Sequence, residues 1–271
     1  MVWDVPHQRA AGLIVQILRP VGMLAILASA AAHPHLHPAD LLRMLRNADA
    51  LDAPLVGPRY FDLPGVSHRL ATLRHAGLIF RCDPHNGNGH HASYEISRLG
   101  AGMLAALDPV TSWGMANYDL ALAAARKRAG FPLPCPPVAV ADRRPRAARG
   151  MALGMLDRRW SYALLAQIRI AGDAGVEASD ARDAINAMLR AVPEQVRHFL
   201  GRASSHQVLR YLAQTGLATR HVEVRFGRRV LYRPTAAGAG LIDALWPAAR
   251  WGVPHDAALS QAVRATSAWF A

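Results

Sequence analysis

An internal duplication constrains the fold of this chain more than any other feature of its sequence. Three patterns occur once in each half: Leu-x-x-Leu-x-x-x-Gly-Leu, then Tyr-x-x-Ser/Thr-x-x-Gly, then a Trp-Gly pair nineteen residues after the tyrosine. Their first residues are Leu70 and Leu209, Tyr94 and Tyr232, and Trp113 and Trp251. Three coincidences at nearly constant offsets are not expected by chance, so we interpret the chain as two related halves.

The duplication predicts two domains joined by a linker. We place the N-terminal domain at residues 1–129 and the C-terminal domain at residues 151–271. Residues 130–150 between them are rich in proline and arginine, which is typical of a semi-rigid, solvated spacer. Alternatively, the arginines of this segment could also lie along a phosphate backbone.

Each half is predicted to contain a helix followed by a β-hairpin. In the first half the helix covers residues 64–76, the strands cover 78–81 and 92–96, and residues 83–89 form the turn. The second copy has a helix at 204–215 and strands at 218–224 and 230–233. Earlier helices are predicted at 21–31 and 38–46 in the first half and at 159–170, 179–191 and 193–200 in the second, whereas 49–63 has the composition of a loop.

Residues 66–79 resemble the recognition-helix signature of ArsR-type and MarR-type regulators. The Tyr-x-x-Ser/Thr-x-x-Gly and Trp-Gly patterns, together with residues 156–165, resemble the HxlR subgroup, in which they follow the wing and lead into a dimerisation helix. The resemblance implies a mainly α fold with small β-hairpin wings, arranged as two tandem winged helix-turn-helix domains. Such proteins usually form homodimers of one-domain chains, so two copies in one chain imply a monomeric pseudo-dimer or a homodimer. The N-terminal cysteine of that subgroup is absent.

The charge of the chain indicates a polyanionic partner, and the resemblance makes that partner double-stranded DNA. The formal net charge is +12, the pI is about 11.0, and residues 1–150 and 151–271 each carry +6. By the resemblance, the recognition helices present polar and basic residues to the major groove: Ser67, His68, Arg69, Thr72 and Arg74 in the first half, and Ser205, His206, Gln207 and Arg210 in the second. The second wing carries arginines suited to phosphates or to a minor groove: Arg220, Arg225, Arg228, Arg229 and Arg233.

The first wing differs, because it carries one arginine, Arg81, and histidines at 85, 90 and 91. Histidines 33, 35 and 37 could join Cys82 and His90-His91 in a metal site. However, histidines alternating with proline are typical of a loop, and no second cysteine is near in sequence. We therefore predict no metal and no other cofactor.

Two other classes of function stay open. One is a sequestering or resistance protein that holds an aromatic molecule between the domains, and a regulator of this type could hold a small-molecule effector in the same place. The other is a nucleic-acid enzyme such as a base-excision glycosylase, but no catalytic carboxylate, nucleophile motif or phosphate loop stands out, so we do not expect an enzyme. Two cysteines and no apparent signal peptide or membrane-spanning segment lead us to expect a cytoplasmic protein without membrane contact.

Overall fold

The structure is a computed structural model that describes residues 3–18, 22–56, 61–82, 92–128, 130, 138–139, 141, 143–190, 199–224 and 229–267, and the side chains of all of these except 48–56 and 265–267. It is mainly helical, with two small antiparallel sheets. The helices are α1 Val5–Leu18, α2 Met23–Ala32, α3 Pro38–Val56, α4 Leu63–His75, α5 Arg98–Ala106, α6 Asp108–Ala116, α7 Tyr118–Arg128, α8 Pro145–Gly154, α9 Ser161–Ala171, α10 Ala178–Arg190, α11 Arg202–Gln214, α12 Ala236–Gly252 and α13 Asp256–Ser267. The strands are β1 Ile79–Cys82, β2 Ser93–Ile96, β3 Val176–Glu177, β4 Ala218–Glu223 and β5 Arg229–Pro234.

The two halves have the same order of elements. Helices α1, α2, α3, α4, α5 and α7 begin 138 to 140 residues before α8, α9, α10, α11, α12 and α13, respectively. The sheet of the second half has the order β3-β5-β4, with Val176 of β3 paired to Tyr232 of β5. In the first half an isolated bridge between Leu36 and Tyr94 takes the place of β3. The duplication predicted from the sequence is therefore also a duplication of structure.

The repeated Ser/Thr and Gly positions form a helix cap that is also tied to the preceding helix. Ser97 caps α5 by accepting a hydrogen bond from the Gly100 N–H at 3.0 Å, and its hydroxyl donates to the Gly77 carbonyl at 2.6 Å. A Cβ at position 100 would lie 2.1 Å from the Leu78 carbonyl oxygen, so only glycine fits there. The second half repeats the arrangement with Thr235, Gly238, Gly216 and Leu217.

Helices α1 and α8 each pack on the opposite half of the chain. Helix α1 lies against α12 and α13, whereas α8 lies against α6 and α7. Both crossings need a glycine, because a Cβ on Gly252 would lie 2.9 Å from the Ala10 Cβ and one on Gly114 would lie 2.6 Å from the Ala148 carbonyl oxygen. Each half thus completes the core of the other.

The two repeated tryptophans also reach across to the opposite half. The Trp113 Nε1 donates to the Ala237 carbonyl oxygen at 3.0 Å, and its ring lies over Gly240 of α12. The Trp251 ring lies over Gly102 of α5 in the same way. Each half therefore makes with the other half the same tryptophan-to-glycine contact that it receives.

Two expectations about connecting segments are wrong. The segment 49–63 is not a loop throughout, because α3 continues to Val56. The linker at 130–150 is not a solvated spacer over its whole length, because α8 begins at Pro145 and buries Ala147 and Ala148. Its arginines Arg143 and Arg149 pair with Asp119 at 2.8 Å and with Asp108 at 2.6 Å.

For the remaining predicted helices and strands, most of the predicted ends lie within about two residues of the observed ends, so these elements are confirmed. The helix predicted at 193–200 lies mostly outside the described residues, and the turn predicted at 83–89 lies outside them. Within the described part of the chain, no single helix is long and apolar enough to span a membrane.

Candidate nucleic-acid interface

Helix α11 presents a polar face to solvent beside the sheet of the second half. Val208, Leu209 and Leu212 are buried and fix one side of the helix against the core. The opposite side is exposed and carries basic or polar residues at helical spacing: Arg202, His206, Gln207 and Arg210. Helix α11 ends at Gln214, and Gly216, with a φ of +76°, then turns the chain into β4.

Several exposed arginines have no acidic partner among the described residues, and three of them lie on α11 and β4. In the body of the protein arginines pair with carboxylates, for example Arg169 with Asp243 at 3.1 Å. Among the described residues, Arg202, Arg210 and Arg220 have no such partner. Positive charge that is left unpaired on an exposed surface attracts a polyanion.

Strand β4 extends this surface as a projecting hairpin with β5. Every residue of β4 after Ala218 is exposed on both faces, and the following Val224 is 76 % exposed. Arg220 lies on this strand, opposite Tyr232. The side chains of β4 after Ala218 are therefore open to solvent on both faces of the hairpin.

Two other arginines of the hairpin formed by β4 and β5, Arg229 and Arg233, lie close to carboxylates and are therefore less available to bind phosphate than the sequence suggested. Arg229 pairs with Glu177 of β3, which raises the pKa of its guanidinium through a hydrogen bond to the carboxylate. Arg233 approaches Glu223 at 3.5 Å. Both pairs are at least partly exposed and therefore weak, so a phosphate can compete for these arginines. Arg225 and Arg228 lie outside the described residues.

Two predicted contact residues are buried, and those predictions are wrong. Ser205 is 1 % exposed and its hydroxyl donates to the Arg202 carbonyl at 2.8 Å. Thr72 is 7 % exposed and occupies the position in α4 that Tyr211, also buried, occupies in α11. Both side chains face the core, so neither can reach a base edge.

Helix α4 offers a weaker interface than α11. Ser67 and Arg74 are exposed on it, and His68 and Arg69 are half-buried. The Arg69 guanidinium lies 5.9 Å from the centre of the Phe61 ring, so the side chain folds back on its own domain. The positions that match Arg202 and Arg210 hold Leu63 and Ala71, so α4 has one exposed arginine, Arg74, where α11 has two.

Sequence reasoning missed three arginines beside α11. Arg202 was missed because the helix starts two residues earlier than the sequence suggested. Arg158 and Arg159 line a groove of about 680 Å³ with Phe199 and Gln207, and the Arg158 guanidinium stacks 4.3 Å from the centre of the Tyr211 ring. The Arg158-Arg159 pair is plain in the sequence, but its position beside α11 depends on tertiary packing.

An apolar cavity of about 130 Å³ lies between α1 and the helices α9, α10 and α13. Its walls include Trp160, Tyr162 and Met188, and Gln8 adds a polar group that donates to the Trp3 carbonyl at 2.8 Å. The Tyr162 hydroxyl has no hydrogen-bond partner among the described residues, and burial raises the pKa of this tyrosine well above its usual value.

Comparison of the chain with protein-family models, with curated protein sequences and with solved structures returned no match.

Proposed function

We propose that the protein binds double-stranded DNA and regulates transcription through two winged helix-turn-helix domains in tandem. The observation that carries this proposal is the second half: α9, β3, α10, α11 and the β4–β5 hairpin follow the order of a winged helix. Its helix α11 and strand β4 together present three arginines, Arg202, Arg210 and Arg220, that no acidic side chain among the described residues neutralises.

In this proposal α11 enters the major groove. Gln207 lies on the exposed face and can bond an adenine edge in two places, which would give sequence preference. Arg202, Arg210 and Arg158 lie around it and contact phosphates, while Arg220 on the wing contacts the backbone or an adjacent minor groove. Contacts to phosphate supply affinity, and contacts to base edges supply discrimination.

The exchange of α1 and α8 supports a monomer that acts as a pseudo-dimer. In a homodimeric regulator two identical readers are set about 34 Å apart along the duplex. Here α4 and α11 are the two readers in one chain, and they present different side chains. The expected DNA site is therefore asymmetric, with the stronger contacts under α11.

A gel-shift assay of the full chain on genomic fragments, repeated over a range of salt concentrations, tests the proposal. We expect shifted complexes whose affinity falls steeply as salt rises, because arginines displace counterions from the phosphates. Absence of any shift at low salt would overturn the assignment.

The second candidate function is the holding of a small aromatic molecule, and the apolar cavity favours it. A dry apolar cavity of about 150 Å³ can accept a benzene-sized molecule, so the cavity beside Trp160 and Tyr162 has room for a single ring. Thermal unfolding with and without indole tests this candidate. Stabilisation that disappears in Ala163→Phe, which would fill the cavity, together with no DNA binding, would favour sequestration over regulation.

A further inference from the structure

We propose that His35, Cys82 and Glu95 form a binding site for a divalent transition-metal ion, with Zn²⁺ as the best match, at the base of the first hairpin. One ligand atom from each residue lies within 4.8 Å of the other two. The imidazole Nδ1 of His35 is 2.7 Å from the Glu95 Oε1. The site is independent of the DNA-binding surface on α11.

The sheet register brings two of the three ligands together. Cys82 pairs with Ser93, and Phe80 pairs with Glu95, so Cys82 and Glu95 are diagonal neighbours on the same face of the β1–β2 hairpin. Their backbone is held by the strand pairing. The thiol and the carboxylate are consequently kept close before any ion arrives.

The third ligand is delivered by an unusual backbone conformation. His35 has a φ of +57°, and among the described residues it is the only one other than glycine with a positive φ. The next residue, Leu36, exchanges two hydrogen bonds of 3.0 Å with Tyr94, which fixes the loop against β2. Histidine is among the residues that tolerate this left-handed region, and here the conformation sets the imidazole beside Glu95.

The chemistry of the donors selects the class of ion. Nitrogen, thiolate sulfur and carboxylate oxygen together suit Zn²⁺ and its borderline neighbours, whereas Mg²⁺ and Ca²⁺ take oxygen ligands. Around a tetrahedral Zn²⁺ the ligand atoms are roughly 3.3–3.7 Å apart. The ligand atoms of His35, Cys82 and Glu95 need to move by only about 1 Å to reach that spacing, which side-chain rotation allows. Three protein ligands leave the fourth coordination position of the ion open.

The second half lacks the equivalent site, although its fold is the same. The positions that match His35, Cys82 and Glu95 hold Gly175, His221 and Arg233. The second half instead has the paired strand β3 where the first half has the single Leu36–Tyr94 bridge. A metal ion that joins His35 to the hairpin would supply in the first half the cross-connection that β3 supplies in the second.

Isothermal titration calorimetry tests the site: ZnCl₂ is titrated into the full chain after a chelator has removed bound metal and the cysteines have been reduced. We expect one high-affinity Zn²⁺ per chain and a higher thermal midpoint of unfolding. With Co²⁺ as a probe, a thiolate-to-cobalt charge-transfer band is expected if the thiol is a ligand. Binding should fall at least about tenfold in Cys82→Ser and in Glu95→Gln.

The matched control is Cys135→Ser, which removes the other cysteine and should leave stoichiometry and affinity unchanged. Circular dichroism of each metal-free variant shows that loss of binding is not loss of folding. The proposal is overturned if the chain takes up no Zn²⁺ at equimolar concentrations, or if uptake survives both Cys82→Ser and His35→Ala.

Discussion

Replacement of Gly114 by alanine should loosen the crossing of α6 and α8. A Cβ at position 114 would lie 2.6 Å from the carbonyl oxygen and 2.8 Å from the carbonyl carbon of Ala148, which are backbone atoms in the middle of a helix. Ordinary contact needs about 3.4 Å, so the helices must separate by roughly 0.8 Å, and overpacking of this kind costs about 1–3 kcal/mol. Alanine has a helix propensity more favourable than that of glycine by about 0.5–1 kcal/mol, which leaves a net loss of about 1 kcal/mol at the middle of both ranges.

The assay is thermal unfolding followed by circular dichroism, with Gly150→Ala as the matched control. Gly150 lies in α8, the helix that Gly114 of α6 packs against, but a Cβ at position 150 would meet nothing within 4 Å, so this variant should be as stable as the parent or slightly more stable. For a chain of this size 1 kcal/mol corresponds to roughly 2–4 °C, so Gly114→Ala should lower the midpoint of unfolding by about 2–4 °C. Equal midpoints for the two variants would refute the close crossing and the exchange of helices built on it.

Three further predictions concern the interface and the cavity. Gln207→Ala should reduce discrimination between specific and random duplexes by about 1–3 kcal/mol in competition binding, and an equal loss on both would show that it touches only phosphate. Arg220→Ala should weaken DNA binding more than Arg229→Ala in the same assay, because Glu177 already engages Arg229; the reverse order would contradict the ion pair. Burial raises the pKa of Tyr162, so its contribution to stability is complete below about pH 10, the pKa of an unfolded tyrosine, and is lost as pH rises towards the folded pKa. Denaturant unfolding at pH 8 and above pH 10 should therefore show a smaller alkaline loss in Tyr162→Phe, and identical losses would contradict the burial.

Patterns that depend on local geometry were predictable from the sequence. The Tyr-x-x-Ser/Thr-x-x-Gly pattern coincides with a helix cap, because Ser97 and Gly100 act on neighbouring backbone groups. The helix predicted at 64–76 is confirmed as α4, and its apolar residues Val66, Leu70 and Leu73, at helical spacing, are all buried. Such patterns can be interpreted without knowing which other part of the protein the helix packs against.

Features that depend on which surfaces meet were not predictable in the same way. Helix α8 is stabilised by its contact with α6, which the sequence does not reveal. Without that contact, the prolines and arginines before and within the start of α8 are typical of a spacer. Thr72 and Ser205 were assigned to the DNA-facing side by the resemblance to winged-helix regulators, yet the Ser205 hydroxyl donates to the Arg202 carbonyl of its own helix. His35, Cys82 and Glu95 come together only through the register of the hairpin.

The central claim is that unpaired arginines on α11 bind the DNA backbone, and the salt dependence of binding tests it most directly. Fluorescence anisotropy on one labelled duplex would compare the parent with Arg210→Ala and with Arg250→Ala, which removes the same charge from an exposed site near the end of α12. Arg250 is fourteen residues, about 21 Å, from the α12 start beside α11. The slope of log K against log salt should flatten by about 0.9 in Arg210→Ala and stay unchanged in Arg250→Ala. Equal slopes for all three proteins would contradict the claim that α11 is the DNA-binding helix.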